Sequence, residues 1–127
     1  MWQVDTERIL QQTSKGKASG AQNNCLIDSI RQLVKPSVKV KDIRRALQLQ
    51  FRSGANKVTA HNFLQLDFHV AAILQQMGFE PALFTVTCID LAHKGHGDVV
   101  GIGARQLYLA RERQNHFIPL FQRACAR

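Results

Sequence analysis

Gln22-Asn23-Asn24-Cys25-Leu26-Ile27-Asp28-Ser29-Ile30-Arg31-Gln32-Leu33-Val34 decides how this chain is read. Leu26, Ile30, Leu33 and Val34 fall at i, i+4, i+7 and i+8, one buried face of a helix that begins at Cys25. Asn23 or Asn24 can supply its N-cap, and Pro36 stands just past its end. Residues 14–20 before it are a loop by composition. A cysteine that opens a helix faces unpaired backbone N–H groups and the positive end of the helix dipole. Both favour the thiolate, the nucleophilic form, and the same N–H groups can hold the oxyanion of a tetrahedral intermediate. The plainer reading is a buried cysteine at a helix start, with Gln22 and Asn24 as ordinary capping residues.

Outward from this stretch, residues 3–13 suit a first helix with Val4, Ile9 and Leu10 apolar. A basic helix is expected over 40–52, striped by Ile43, Ala46, Leu47 and Phe51. Residues 53–65 read as a loop. Asp67 can cap the next helix, which carries Val70, Ile73, Leu74 and Met77 and stops at Gly78. Beyond Pro81 the pattern turns to β-formers, and strands are expected at 82–89, 99–102, 106–110 and 116–121. Residues 90–98 would be a loop and 111–115 a hairpin connection. Helices first and strands later predict an α+β domain over 1–127, its N-terminal helices packed on a small C-terminal antiparallel sheet.

The chain has 127 residues, 45% hydrophobic and 20% charged, within the range of one globular domain. No apolar run approaches the length of a membrane span, and Asp5, Glu7 and Arg8 interrupt any signal-peptide core. The net charge is +8, and most of it is local. Arg31, Lys35, Lys39, Lys41, Arg44, Arg45, Arg52 and Lys57 face only Asp42 within residues 31–57. Such a patch can meet nucleic acid, an acidic membrane surface or an acidic protein, or it can be a solvated helix face. Phe51 alone interleaves with these charges, which weakens a single-strand stacking role.

Cys25, Cys88 and Cys125 are odd in number and widely spaced, so no disulfide framework follows and a reducing site of action is expected. Cys88 reads as a small buried hydrophobe, and Cys125 as incidental to a basic tail. A cysteine nucleophile needs a base. Of the five histidines, His116 suits best, because it opens a strand after a polar turn and before Phe117-Ile118-Pro119-Leu120-Phe121. His61 and His69 suit local hydrogen bonding or packing. Cys88, His93, His96 and Asp98 are zinc-binding residue types, but their loop contains glycines and lacks a second cysteine pair, so no metal and no cofactor are assigned.

Asn24-Cys25-Leu26 resembles the nucleophile motif of the ovarian-tumour (OTU) cysteine proteases, Asp-Gly-Asn-Cys-Leu-Phe followed by an apolar-faced helix, and Ser29-Ile30 fits that helix. Asn115-His116-Phe117 resembles the family's histidine motif. Residues 67–78 and then 82–86 look like the helix and strand before the family's sheet, so the resemblance covers roughly 20–121. It implies a papain-like fold, Cys25 as nucleophile, His116 as base and the Cys25 N–H in the oxyanion hole. Gln22 stands at the family's aspartate, where it can act by hydrogen bonding alone, and Asn23 at its glycine. The Asp or Asn that members often carry two residues after the histidine is Ile118 here, which leaves Asn115 or Asp98 to orient His116, or a dyad.

The function expected is a cysteine hydrolase of a peptide, isopeptide or glutamine amide bond, with ubiquitin-like conjugates a special case. The small size and the resemblance suggest a toxin or effector module, delivered within a larger protein and active in a target-cell cytoplasm. Rival readings are a basic toxin that cleaves tRNA, using the patch for phosphates and histidines for acid–base work, and a degenerate module that docks an acidic inhibitor or immunity protein.

Overall fold

The computed structural model describes residues 2–93, 95–113 and 115–123. Cys125, Lys94 of the histidine loop and Gln114 of the last hairpin connection lie outside them. The elements run β1 Trp2–Gln3, α1 Thr6–Gln12, β2 Thr13–Lys15, a 3₁₀ turn Ala21–Asn23, α2 Cys25–Val34, α3 Val40–Gln50, α4 Leu66–Gln76, a second 3₁₀ turn Pro81–Leu83, β3 Phe84–Asp90, β4 His96–Val100, β5 Arg105–Glu112 and β6 His116–Gln122. The α+β expectation holds, and α2 has the predicted bounds.

The sheet is larger than expected and mixed. Its order is β1-β4-β3-β5-β6-β2, with β3 and β5 parallel and the other pairs antiparallel. The expected C-terminal antiparallel sheet is corrected on two points. Both of its edges come from the N-terminal region, where the expected helix over 3–13 shrinks to α1 between two short strands. The parallel pair arises because residues 101–104 carry the chain from β4 beneath the start of β3 to its far side. That crossing requires glycine at two points. A Cβ on Gly103 would strike the Leu83 and Phe84 backbone, and Gly101, at φ +86°, lies against the Phe84 carbonyl.

Alternation along the strands separates two cores. Phe84, Val86, Cys88, Leu107, Leu109 and Phe117 face α2, α3 and α4, burying Leu26, Ile27, Ile30, Leu47, Ile73 and Leu74 with them. Ile89, Ala110, Ile118 and Leu120 face the other way and are covered by Ile9 of α1. The layers are therefore α1, sheet, and the three-helix layer that carries Cys25. No described helix is long and apolar enough to cross a membrane.

Two helix starts differ from expectation. Asp67 lies in the first turn of α4 and Gln65 occupies the cap position, so Asp67 acts through its charge at the helix end. Asn24 is at the N-cap of α2, but its side chain makes no capping bond.

Candidate active site

The first turn of α2 abuts the start of β6. The Cys25 thiol is 4% exposed and donates to the Asn115 carbonyl at 3.5 Å, while the Phe117 N–H donates to Cys25 Sγ at 3.4 Å. One turn further, Ser29 Oγ donates to the Phe117 carbonyl at 3.2 Å. The helix is thus fixed to the strand by contacts on both sides of His116. His116 is half-buried and lines a cavity of about 380 Å³ with Gly20, Asn23, Cys25, Phe63, Arg113 and Asn115. Its ring stands over Gly20, where a Cβ would lie 3.5 Å from Nδ1 and Cε1. Among the described residues, the His116 ring makes no hydrogen bond to another side chain.

The segment leading into Cys25 is conformationally costly. Gln22 and Asn23 hold φ of 55° and 59°, a left-handed region that costs non-glycine residues roughly 1 kcal/mol or more each. The arrangement persists because its polar groups are held from both sides. Asp28, buried on α2, accepts from the Ser19 N–H at 2.8 Å, while Arg31 and Gln32 also bond its carboxylate. On the other side, Arg44 is 4% exposed. Its Nη2 donates to the Gln22 and Asn23 carbonyls at 3.1 and 2.9 Å, and its Nε to Asn24 Oδ1 at 2.8 Å. Its Nη1 donates to the Thr59 and Asn62 carbonyls. Burial lowers the pKa of Arg44 from its ordinary value, and the charge of Cys25 works in the opposite direction.

Neither a family model nor a curated protein matches the sequence. Among solved structures, the chain is similar to that of the Hazara virus OTU bound to ubiquitin. The TM-score is 0.57 at 18% identity, over 92% of this chain and 86% of that one. The fold is OTU-like.

Within this OTU-like fold the predicted nucleophile and base line one cavity, although 91 residues separate them in sequence. Ile118 is 3% exposed and belongs to the core under α1, so the position two after the histidine carries packing. Asn115 is beside the thiol through its carbonyl. Asp98 pairs with Arg111 at 3.3 Å and lines an adjoining cavity of about 420 Å³, which shares Phe63 and Asn115 with the first. Gln22 is exposed and outside the cavity lining, offering its carbonyl to Arg44; the Asn24 side chain is likewise taken by Arg44.

The basic patch does not form one free face. Arg44 is buried, Arg31 is paired with Asp28, and Lys35 donates to the Met77 carbonyl at 3.2 Å. Arg52 bonds the Leu49 carbonyl, and Lys39, Lys41, Arg45 and Lys57 remain exposed. Among the described residues no group of three His, Cys, Asp or Glu side chains is placed to hold a metal. His93 pairs instead with Asp90.

Sequence reasoning missed the Phe117 N–H, the Phe63 wall and the place of Arg44. Only the last had a signal. Arg44 sits four residues after Val40 and three before Leu47, inside the apolar stripe of α3.

Proposed function

We propose that this chain is a cysteine hydrolase that cleaves the amide or isopeptide bond at the C-terminus of a ubiquitin-like protein. The carrying observation is that Cys25, at the start of α2, and His116, at the start of β6, line the same cavity. That the structurally similar Hazara virus OTU is bound to ubiquitin supports the substrate class.

In this reading His116 takes the Cys25 thiol proton, which the Asn115 carbonyl accepts in the resting state. The Phe117 N–H stays directed at the sulfur and favours the thiolate. The thiolate adds to the carbonyl carbon, and the oxyanion is met by the Cys25 N–H at the helix start. The C–N bond breaks as His116 returns the proton to the leaving amine, leaving a thioester. Water then attacks with His116 as base. The C–S bond breaks, the carboxylate product leaves and the thiol is restored. A glutamine side-chain amide would follow the same path with ammonia as leaving group.

The test uses ubiquitin carrying a fluorogenic C-terminal amide, and ubiquitin carrying a C-terminal alkyne electrophile read by peptide mass spectrometry. Hydrolysis and a covalent adduct on Cys25 are expected, both lost in Cys25→Ala, with hydrolysis slowed about 10²–10⁴-fold in His116→Ala. Absence of hydrolysis and of adduct in the folded wild-type protein would sink the proposal.

A further inference from the structure

We infer that Arg44 is a positioning residue, which holds Asn24 and the left-handed pair Gln22 and Asn23 in the turn that presents Cys25 to the cavity. The inference rests on the cysteine-hydrolase reading above and deepens it. All three guanidinium nitrogens of Arg44 are engaged, and their acceptors lie on two separate loops. One is the turn before Cys25. The other, residues 59–62, runs directly into Phe63 of the cavity wall, and its His61 carbonyl also accepts from Asn23 Nδ2. Arg44 thus joins the floor of the site to its wall from behind.

The peptide geometry says what this accomplishes. In a trans peptide the C=O and the following N–H point opposite ways. The Gln22 and Asn23 carbonyls turn inward to Arg44, and the Asn24 carbonyl is taken by the Asp28 N–H at 2.9 Å. The Cys25 N–H is therefore directed away from the helix body, with no backbone acceptor among the described residues. Without Arg44, the two inward carbonyls would lose the donor that holds them and the left-handed pair would relax. Lysine cannot replace it, because one ammonium lacks the planar fork that spans both loops.

The test compares wild type, Arg44→Lys and Asn24→Ala. Readouts are kcat and KM on the fluorogenic ubiquitin amide, and amide hydrogen exchange at residues 20–24 and 59–62 against β3 and β5. Arg44→Lys is expected to lower kcat about 10²-fold with KM nearly unchanged, because the reacting groups are misplaced while binding surfaces remain. Exchange should quicken at 20–24 and 59–62, with the sheet still protected. Asn24→Ala, which removes one of the bonds and keeps the charge, should lower kcat about tenfold and keeps the question answerable if Arg44→Lys does not fold. The inference is overturned if kcat in the folded variants stays within twofold of wild type, or if exchange at 20–24 is unchanged. An inactive wild type would instead overturn the hydrolase reading, and exchange would still judge Arg44.

Discussion

Cys25 and Cys88 are almost equally buried, at 4% and 2% exposed, yet their surroundings differ in kind. Cys88 lies in the middle of β3, with strands on both sides and helices over it. Burial pushes its thiol up to about 12; Arg111 pulls the other way, and Asp98 and Asp90 add to the rise. Cys25 lies where a helix begins against the start of a strand, so two backbone groups of that strand end reach its sulfur, and a cavity opens beside it. Exposure alone does not distinguish these two thiols. The polar groups left over at element ends do.

The largest expected contrast is in activity. Cys25→Ala should reduce hydrolysis of the fluorogenic ubiquitin amide by at least about 10³-fold, whereas Cys88→Ala, measured below its unfolding transition, should stay within about twofold. Equal losses would erase the distinction. A narrower contrast concerns alkylation. Burial pushes the Cys88 thiol up and strands close over it on both sides, whereas Cys25 borders a cavity, so at pH 8 iodoacetamide should modify Cys25 at least about 10²-fold faster in the native protein. Unfolding in guanidinium should bring the two rates together; similar rates in the native state would refute the comparison.

Stability offers the next test. Asp28→Ala leaves the Ser19 N–H and the Arg31 guanidinium without their carboxylate. It should cost about 1–3 kcal/mol in urea unfolding, and a loss below about 0.5 kcal/mol would show that this side of the site holds itself. The smallest effect lies at the far end of β3. Burial disfavours a charged Asp90, but the His93 hydrogen bond, the Ala92 N–H and the charges of His93 and Arg111 outweigh it, holding the carboxyl below its ordinary range. Its stabilisation is thus present above the unfolded carboxylate value near pH 4 and is lost as pH falls through the lower folded value. Asp90→Asn should lower stability at pH 7 by under about 1 kcal/mol, with the difference from wild type vanishing by about pH 2 in denaturant titrations. A difference that grows toward acid would reverse the sign of this argument.

Much of this was legible from periodicity. The α2 face, the α4 stripe and the β-rich runs at β3, β5 and β6 each carry enough residues to show a repeat. Cys25 and His116 were visible because each opens such a run. What periodicity could not show has physical causes. β1 and β2 have two and three residues, too few for a pattern, and exist because distant strands offer them open edges. β4 was read as starting late because Gly97 resembles loop punctuation, yet a Cβ there would strike the Cys88 carbonyl, so the glycine serves close strand approach. Arg44 was read by its charge when its helical phase placed it inside.

The order in which the strands lie in the sheet has a kinetic consequence. β2 pairs with β6, so a segment made early in synthesis must wait roughly 100 residues for its partner. The same late strand brings His116 and the Phe117 N–H to Cys25. Until ribosomal elongation has delivered β6, the thiol has neither His116 beside it nor its strand contact. A nascent chain of this protein therefore carries no assembled cavity at Cys25, which forms with the closing of the sheet rather than with the appearance of the cysteine.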